Sequence, residues 1–497
     1  CFLKMNGGRF ISQNEEFYVL NEKTNIWCVD KTKSLLYMTV QGSLTKKFKL
    51  LKTKYSNQWN TLCDHQEECE DNKELWEEVN KDIKRVEERM ELIDKVLKRV
   101  GTYTDCNNLT RQIKMMLNVK TFDEIPFDRV RPYYFNFKNK CFNLEFGKIG
   151  QNVDILPTDY ITQTTGYNWK EPTDEEVKYV SDVIEKIFVD EDIRNTYLSV
   201  LYSAMIGKQF EKFVLANGAG RNGKGVLNDL FAVMLGDEYF YKASIDSLTG
   251  KNFGNGQGAS PETVAMNLKR CIIWDEPEDS ASINGGKMKR FTGSPIINAR
   301  GMYKSQMYPV HMLCSIILEC NKKPNIDSRT DQAIYERVMS VPFESSFLSK
   351  ERVDPEKKIF EGDAYLKTHE FKDKYKFALF KYLIEWGKKN WTGDIYIAPR
   401  CAEASRNYVD NQDDLIGWLS QNYIITDSDT DRVKFKDIYE SFKTYIEYDR
   451  LSVQERKRWK RKQFKEALDA TDYNIKNTTK TEGGILTYFN LKQRIFE

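Results

Sequence analysis

The chain has 497 residues, enough for about two to four domains with sizeable cores. Lys plus Arg number 76 against 74 Asp plus Glu, and this net charge of +2 excludes a globally basic nucleic-acid coat; any basic surface must be local. No apolar run reaches the roughly 18 residues of a membrane-spanning helix, so no membrane partner is expected.

The opening, Cys1-Phe2-Leu3-Lys4-Met5, lacks an initiator Met and a signal-peptide pattern, as expected of a piece of a longer polypeptide. The ten cysteines are scattered, and Cys271 and Cys314 fall in apolar strand-like runs, which predicts core thiols in a reducing compartment. Residues 1–110 form a first, mixed strand and helix region. Short strands are predicted at 17–20, 26–29 and 35–38, with helix after Trp59. Trp76, Val79, Ile83, Val86, Met90, Ile93 and Leu97 recur every three or four residues, an apolar stripe that packs on its own domain or forms an oligomer contact. Cys63, His65 and Cys69 offer three local metal ligands; zinc would need a fourth from elsewhere.

Residues 111–205 read as a lead-in domain: a helix at Ile113, Met116 and Leu117, a hairpin-rich connector, and two helices. Thr173 with Glu176 predicts a capping box at the first of these. The second, about 191–206, runs almost directly into the next strand.

Residues 206–345 carry the chemistry. Phe213-Val214-Leu215-Ala216-Asn217 is a short apolar strand, followed by Gly218-Ala219-Gly220-Arg221-Asn222-Gly223-Lys224-Gly225 and then a helix. The spacing is that of a phosphate-binding P-loop. Glycines let the backbone curl so that its amides and the helix N-terminus form an anion nest, and Lys224 reaches the β/γ-phosphates as a mobile charge. Gly225 stands where Ser or Thr normally helps hold Mg²⁺. Downstream, Cys271-Ile272-Ile273-Trp274 ends in Asp275-Glu276, as a buried parallel strand ends at a phosphate site. Asp275 is placed to hold Mg²⁺ and Glu276 to polarise the attacking water. A third apolar run, 312–320, ends at Asn321, whose amide either senses the γ-phosphate or merely opens the turn to Pro324. Arg337, at the end of a short helix, is placed either as an arginine finger toward a neighbouring subunit or in a surface salt bridge.

These motifs resemble superfamily 3 helicases of the AAA+ class, in particular the helicase half of primase–helicases of large DNA viruses, poxvirus and African swine fever virus type, and related phage proteins. The likeness rests on the loop with Asn222 before Gly223 and on Lys289-x-x-Thr292-Gly293-Ser294 through Ala299-Arg300 and Tyr303-Lys304. It rests further on Asn321-Lys322-Lys323-Pro324, and on Arg337 followed by Val341-Pro342-Phe343. It covers roughly residues 110–450. Gly225 and Pro295 depart from the family's usual residues. The resemblance implies an α/β AAA+ motor that hydrolyses ATP with Mg²⁺ at the interfaces of a hexameric ring. It implies a hairpin, about Met302 to Tyr308, gripping single-stranded DNA; there Lys304 can contact phosphate, and Tyr303 or Tyr308 can stack or pack. Single-stranded and forked DNA, six copies of the chain and other viral replication proteins are the implied partners, in the host cytoplasm.

Residues 346–497 read as helical and winged-helix-like. Arg456, Lys457, Arg458, Lys460, Arg461 and Lys462, with Trp459 among them, form a local footprint for nucleic-acid phosphates; otherwise the run is a solvated basic helix or an import-like signal. Two other classes fit less well: a DNA-binding scaffold with a decayed nucleotide site, motivated by Gly225 and Pro295, and another P-loop motor such as a packaging ATPase.

Overall fold

The computed structural model describes residues 2, 6–13, 16–32, 34–117, 124–249, 260–277, 282–303, 307–327, 332–410, 414–426, 428, 430–451, 456–457, 459–469, 477–478, 486–489 and 491–494. The chain divides into two compact units, Cys1–Phe142 with Asn152–Asn168, and Asn143–Gln151 with Trp169–Glu497.

In the first unit, strands Phe10–Gln13, Glu16–Asn21 and Ile26–Val29 form an antiparallel sheet. Helices Ser34–Glu68 and Lys73–Gly101 pair along their length. Val79, Ile83, Val86 and Ile93 of the apolar stripe are buried, and Lys52 Nζ meets Asp94 Oδ1 at 2.7 Å across the pair. The stripe thus packs within its own unit. Residues 35–38 are helical, not the strand their composition suggests: Leu36 and Val40 lie on one helix face, and tertiary packing decides a four-residue apolar run whose periodicity is ambiguous. Cys63, His65 and Cys69 form no metal-binding group among the described residues.

The second unit is built on five parallel strands, β1 (Phe213–Asn217), β2 (Phe240–Ala243), β3 (Cys271–Trp274), β4 (Ser315–Cys320) and β5 (Val338–Pro342), in the order β5-β1-β4-β3-β2. β1, β3 and β4 are nearly continuous apolar runs because both faces of a parallel sheet are covered. One face, with Phe213, Leu215, Ile272, Trp274, Ile316 and Leu318, shares a core with Met288, Phe291 and Val310. Cys271 and Cys314 are buried, as expected of core thiols. The α/β class read from the motifs is the fold observed.

Helix Asp174–Ile187 starts at the Thr173–Glu176 capping box, with both reciprocal bonds present. Helix α1 (Glu191–Ile206) is capped by Asp190, which accepts from the Ile193 amide at 3.1 Å, and ends on a left-handed Gly207. From Thr196 to Ile206 it is buried all round, and every side chain there is apolar or bears a hydroxyl. Residues 395–397, strand-like by composition, form no strand and lead into helix Pro399–Asp410. Toward the C-terminus, helices Asp414–Asn422, Phe435–Tyr445 and Arg461–Asp469 enclose one core with short antiparallel strands Arg432–Lys434, Thr487–Phe489 and Asn477–Thr478, a winged-helix-like arrangement. Among the described residues no helix is long and apolar enough to cross a membrane.

Candidate active site

Of the residues singled out by the motifs, the loop, Asp275, Glu276 and Asn321 gather at the C-terminal ends of β1, β3 and β4. After β1 the chain curls through 218–223 into helix α2 (Lys224–Leu235). Gly223 has φ +81°, and a Cβ there would lie 2.6 Å from Ile187 Cγ1. A Cβ at Gly218 would lie 2.4 Å from the Phe343 carbonyl oxygen. Gly223 is therefore fixed by space as well as by backbone conformation, and Gly218 by space alone. The loop is held from below: the Phe343 amide donates to Asn217 O and the Phe347 amide to Arg221 O, each at 2.7 Å. Asn222 is buried; its Oδ1 accepts from the Lys224 amide at 3.2 Å, while its Nδ2 is sealed from solvent without a hydrogen-bond partner among the described residues. A buried donor left open at the rim of an amide nest is chemistry for an anion.

Lys224 is buried, and its Nζ donates to Cys320 O at 2.8 Å and Asn321 Oδ1 at 3.3 Å. Asn321 in turn donates through its amide N to Glu276 Oε1 at 2.6 Å and through Nδ2 to Glu276 Oε2 at 2.7 Å. Lys224, Asn321 and Glu276, separated by up to a hundred residues in sequence, form one line across adjacent strand tips. Asn321 is thus more than a turn opener. Asp275 accepts from Lys242 Nζ at 2.8 Å. That hydrogen bond holds the lysine charged beyond its ordinary range, against the opposing effect of burial, and Glu319 and Asp229 add to the negative field. Asp275 is a half-exposed carboxylate already paired with an ammonium, and among the described residues it belongs to no group of three or more His, Cys, Asp or Glu that could hold a metal ion.

Three residues of the site escape sequence reasoning. Tyr197 OH donates to Asn228 Oδ1 at 2.5 Å, and Asn228 Nδ2 donates to Glu319 Oε1 at 2.5 Å. Burial pushes the Glu319 carboxyl above the usual range. The available signal was a lone carboxylate in the run Ser315-Ile316-Ile317-Leu318-Glu319-Cys320. Beside the loop lies a cavity of about 400 Å³ lined by Val183, Ile187, Phe347, Ser349, Asp363 and Leu366. Its walls are mainly apolar, with Arg221, Ser349, Asp363 and Lys367 as the polar side chains.

Arg337 does not project in the single chain. Its guanidinium folds back onto Ala333 O at 2.9 Å and Glu211 Oε2 at 3.1 Å, and its Nε is buried without a partner among the described residues. Arg337 precedes β5, whose first residue pairs with Phe213, so it lies at the sheet end opposite the loop. Five strand residues separate the two, about 16 Å. Strands Ile296–Ala299 and Tyr308–His311 form the expected antiparallel hairpin, with a longer tip than the 302–308 reading: Tyr308 belongs to the returning strand and is half-buried. Tyr303 at the tip is 98% exposed with φ +60°. Lys304 lies outside the described residues, as does Arg458.

In the C-terminal basic run, Lys457, Lys460, Arg461 and Lys462 are exposed. Arg456 is also exposed, with its Nε donating to Leu451 O at 2.9 Å. Trp459 is a core residue, packed against Phe442 with ring centroids 4.8 Å apart, while its described basic neighbours are exposed.

No family model matches the chain. Two curated proteins align over most of it: a putative helicase of Acanthamoeba polyphaga mimivirus, 28% identical over 69% of this chain and 37% of its own length, and a putative helicase of Invertebrate iridescent virus 3, 25% identical over 71% and 39%. A putative helicase of Frog virus 3 is 33% identical over 36% of this chain and 18% of its own. The chain is thus similar to putative helicases of large DNA viruses and spans about two fifths of the first two. Among solved structures, the apo NrS-1 C-terminal region aligns with TM-score 0.38 and 13% identity, over 69% of this chain and 88% of that one. The JCV helicase aligns with TM-score 0.26 and 11% identity, over 50% and 64%.

Proposed function

We propose that the chain is the motor portion of a superfamily 3 AAA+ DNA helicase. It binds ATP with Mg²⁺, hydrolyses it between subunits of a hexameric ring, and moves single-stranded DNA through the ring to open duplex during viral genome replication in the host cytoplasm. The observation that carries this reading is the line of contacts from Lys224 through Asn321 to Glu276 at the C-terminal edge of the parallel sheet. The names of the viral relatives support the same class. The whole protein is read as a primase–helicase, with 111–205 as lead-in, 206–345 as motor and 346–497 as DNA-binding region.

The loop amides, the open Asn222 Nδ2 and Lys224 bind the phosphates. Lys224 exchanges both Cys320 O and Asn321 Oδ1 for phosphate oxygen, which releases the Asn321 side chain from the lysine. Asn321 then has a choice between phosphate and Glu276, so nucleotide state is communicated to the carboxylate that polarises water. Asp275 holds the metal ion, which when bound supplies Lewis-acid stabilisation of the phosphoryl charge. Arg337 is out of reach of its own loop and acts on a neighbour's γ-phosphate once released from Glu211. Tyr303 and Lys304 at the hairpin tip meet the strand in the channel, and the exposed lysines and arginines of 456–462 hold the fork. Strand separation on a forked duplex tests this: wild type with ATP opens it and Lys224→Ala does not. Brisk hydrolysis without strand opening would overturn the helicase reading and leave another P-loop motor.

A further inference from the structure

Gly225 lacks the hydroxyl that would ordinarily help fix a metal ion, yet the surroundings are not bare. A Cβ at 225 would meet nothing within 4 Å, so there is open space where the hydroxyl would stand. Asn228 lies three residues further along α2, on the same helix face, where Cβ atoms are about 5–6 Å apart. Its side chain is fully used: Tyr197 fixes its oxygen, and its amide grips Glu319 Oε1. Glu319 has no ion-pair partner among the described residues, and its Oε2 makes no hydrogen bond to them. Lys224 and Lys242 lie in its field; once phosphates claim Lys224, a partly buried carboxylate beside them is unfavourable unless a cation comes with the ligand. The Lys242 ammonium at Asp275, itself in the field of Glu319, marks where that positive charge belongs.

We infer that Glu319 does the metal-positioning work of the missing hydroxyl at Gly225, orienting a water ligand of the divalent cation that accompanies the nucleotide, with Asn228 and Tyr197 locking its carboxylate. Mg²⁺ keeps several waters when bound by few carboxylates, so a water-mediated contact across the gap above Gly225 suits it. The inference rests on the nucleotide-binding reading of the P-loop. Glu319 is a positioning residue; it touches neither phosphate nor attacking water.

The test is Mn²⁺ binding followed by electron paramagnetic resonance, with a non-hydrolysable ATP analogue, on wild type, Glu319→Gln, Gly225→Ser and the double variant. Gln keeps the acceptor for Asn228, so the fold is retained, and melting temperature checks this. The expected result is that Glu319→Gln weakens Mn²⁺ about 10-fold or more while metal-free analogue affinity stays put. Adding Gly225→Ser should recover the loss by returning a hydroxyl to the gap. Unchanged Mn²⁺ affinity in Glu319→Gln, or a loss that Gly225→Ser leaves untouched, overturns the inference while analogue binding still supports the P-loop. Failure of the wild type to bind the analogue at all overturns the underlying reading instead.

Discussion

Replacing Gly223 and Gly225 separately by alanine separates what the loop demands from what it tolerates. At 223 the backbone sits at φ +81°, and the left-handed region costs an L-residue roughly 1–2 kcal/mol. The new methyl would also press on Ile187 Cγ1 at 2.6 Å and Phe347 Cε2 at 3.1 Å. Such overpacking adds about 1–3 kcal/mol, giving about 2–5 kcal/mol in all. At 225 a methyl meets nothing within 4 Å, inside a helix where alanine is better than glycine by about 0.5–1 kcal/mol. Native-state hydrogen exchange of amides in β1 and α2 reads these local opening energies, and nucleotide titration reads the site. Gly223→Ala should raise exchange rates in both elements and lose nucleotide; Gly225→Ala should slow exchange slightly and bind. Equal damage from the two substitutions, or none from the first, would refute the account of the loop.

Arg337→Ala should spare nucleotide binding and remove hydrolysis. Mixing it with Lys224→Ala subunits should restore part of the turnover, because some interfaces then join an intact arginine to an intact loop; no recovery contradicts action on a neighbour. Replacing Lys457, Lys460 and Arg461 with glutamine should lower the slope of log affinity for single-stranded DNA against log salt by about 2–3, and an unchanged slope would assign the basic run another role. Asp190 caps α1 and binds Arg400 Nη1 at 2.6 Å. Burial raises its pKa, but the Ile193 amide and Arg400 outweigh that and leave it below the ordinary 3.8. The depressed value means that this stabilisation is present at neutral pH and is lost as pH falls below 3.8 through the folded-state pKa. Asp190→Ala should therefore cost about 1–2 kcal/mol near pH 7 in thermal melts, with the gap to wild type closing in acid; a gap that widens in acid would contradict the assignment.

The loop, the Asp275–Glu276 strand end and Asn321 were legible because each couples a local backbone demand to a chemical residue type. Gly223 needs both positive φ and room against Ile187, and an apolar strand that ends in two carboxylates has few structural reasons to exist. What the sequence hid is lateral. The strand order that places β4 between β1 and β3 brings Asn321 onto Glu276, and no spacing reveals it. The same adjacency makes Glu319 face Asn228, and α1 delivers Tyr197 from behind. Helix 34–68 begins in a run that reads equally as strand, since four apolar residues have no decisive period. Trp459 sits among cations in sequence, but one buried face is enough to take it from the surface. Arg337 was correctly placed at a helix end, yet its engagement with Glu211 depends on the turn before β1, which nothing local to Arg337 encodes.

The most direct test of a motor with shared sites is the ATP hydrolysis rate per chain as a function of protein concentration, with and without single-stranded DNA, for wild type and Lys224→Ala. The account predicts a steep rise with concentration, stimulation by DNA, and loss of both in the variant. A negligible or concentration-independent rate that Lys224→Ala leaves unchanged would contradict it and favour a DNA-binding scaffold with a decayed nucleotide site.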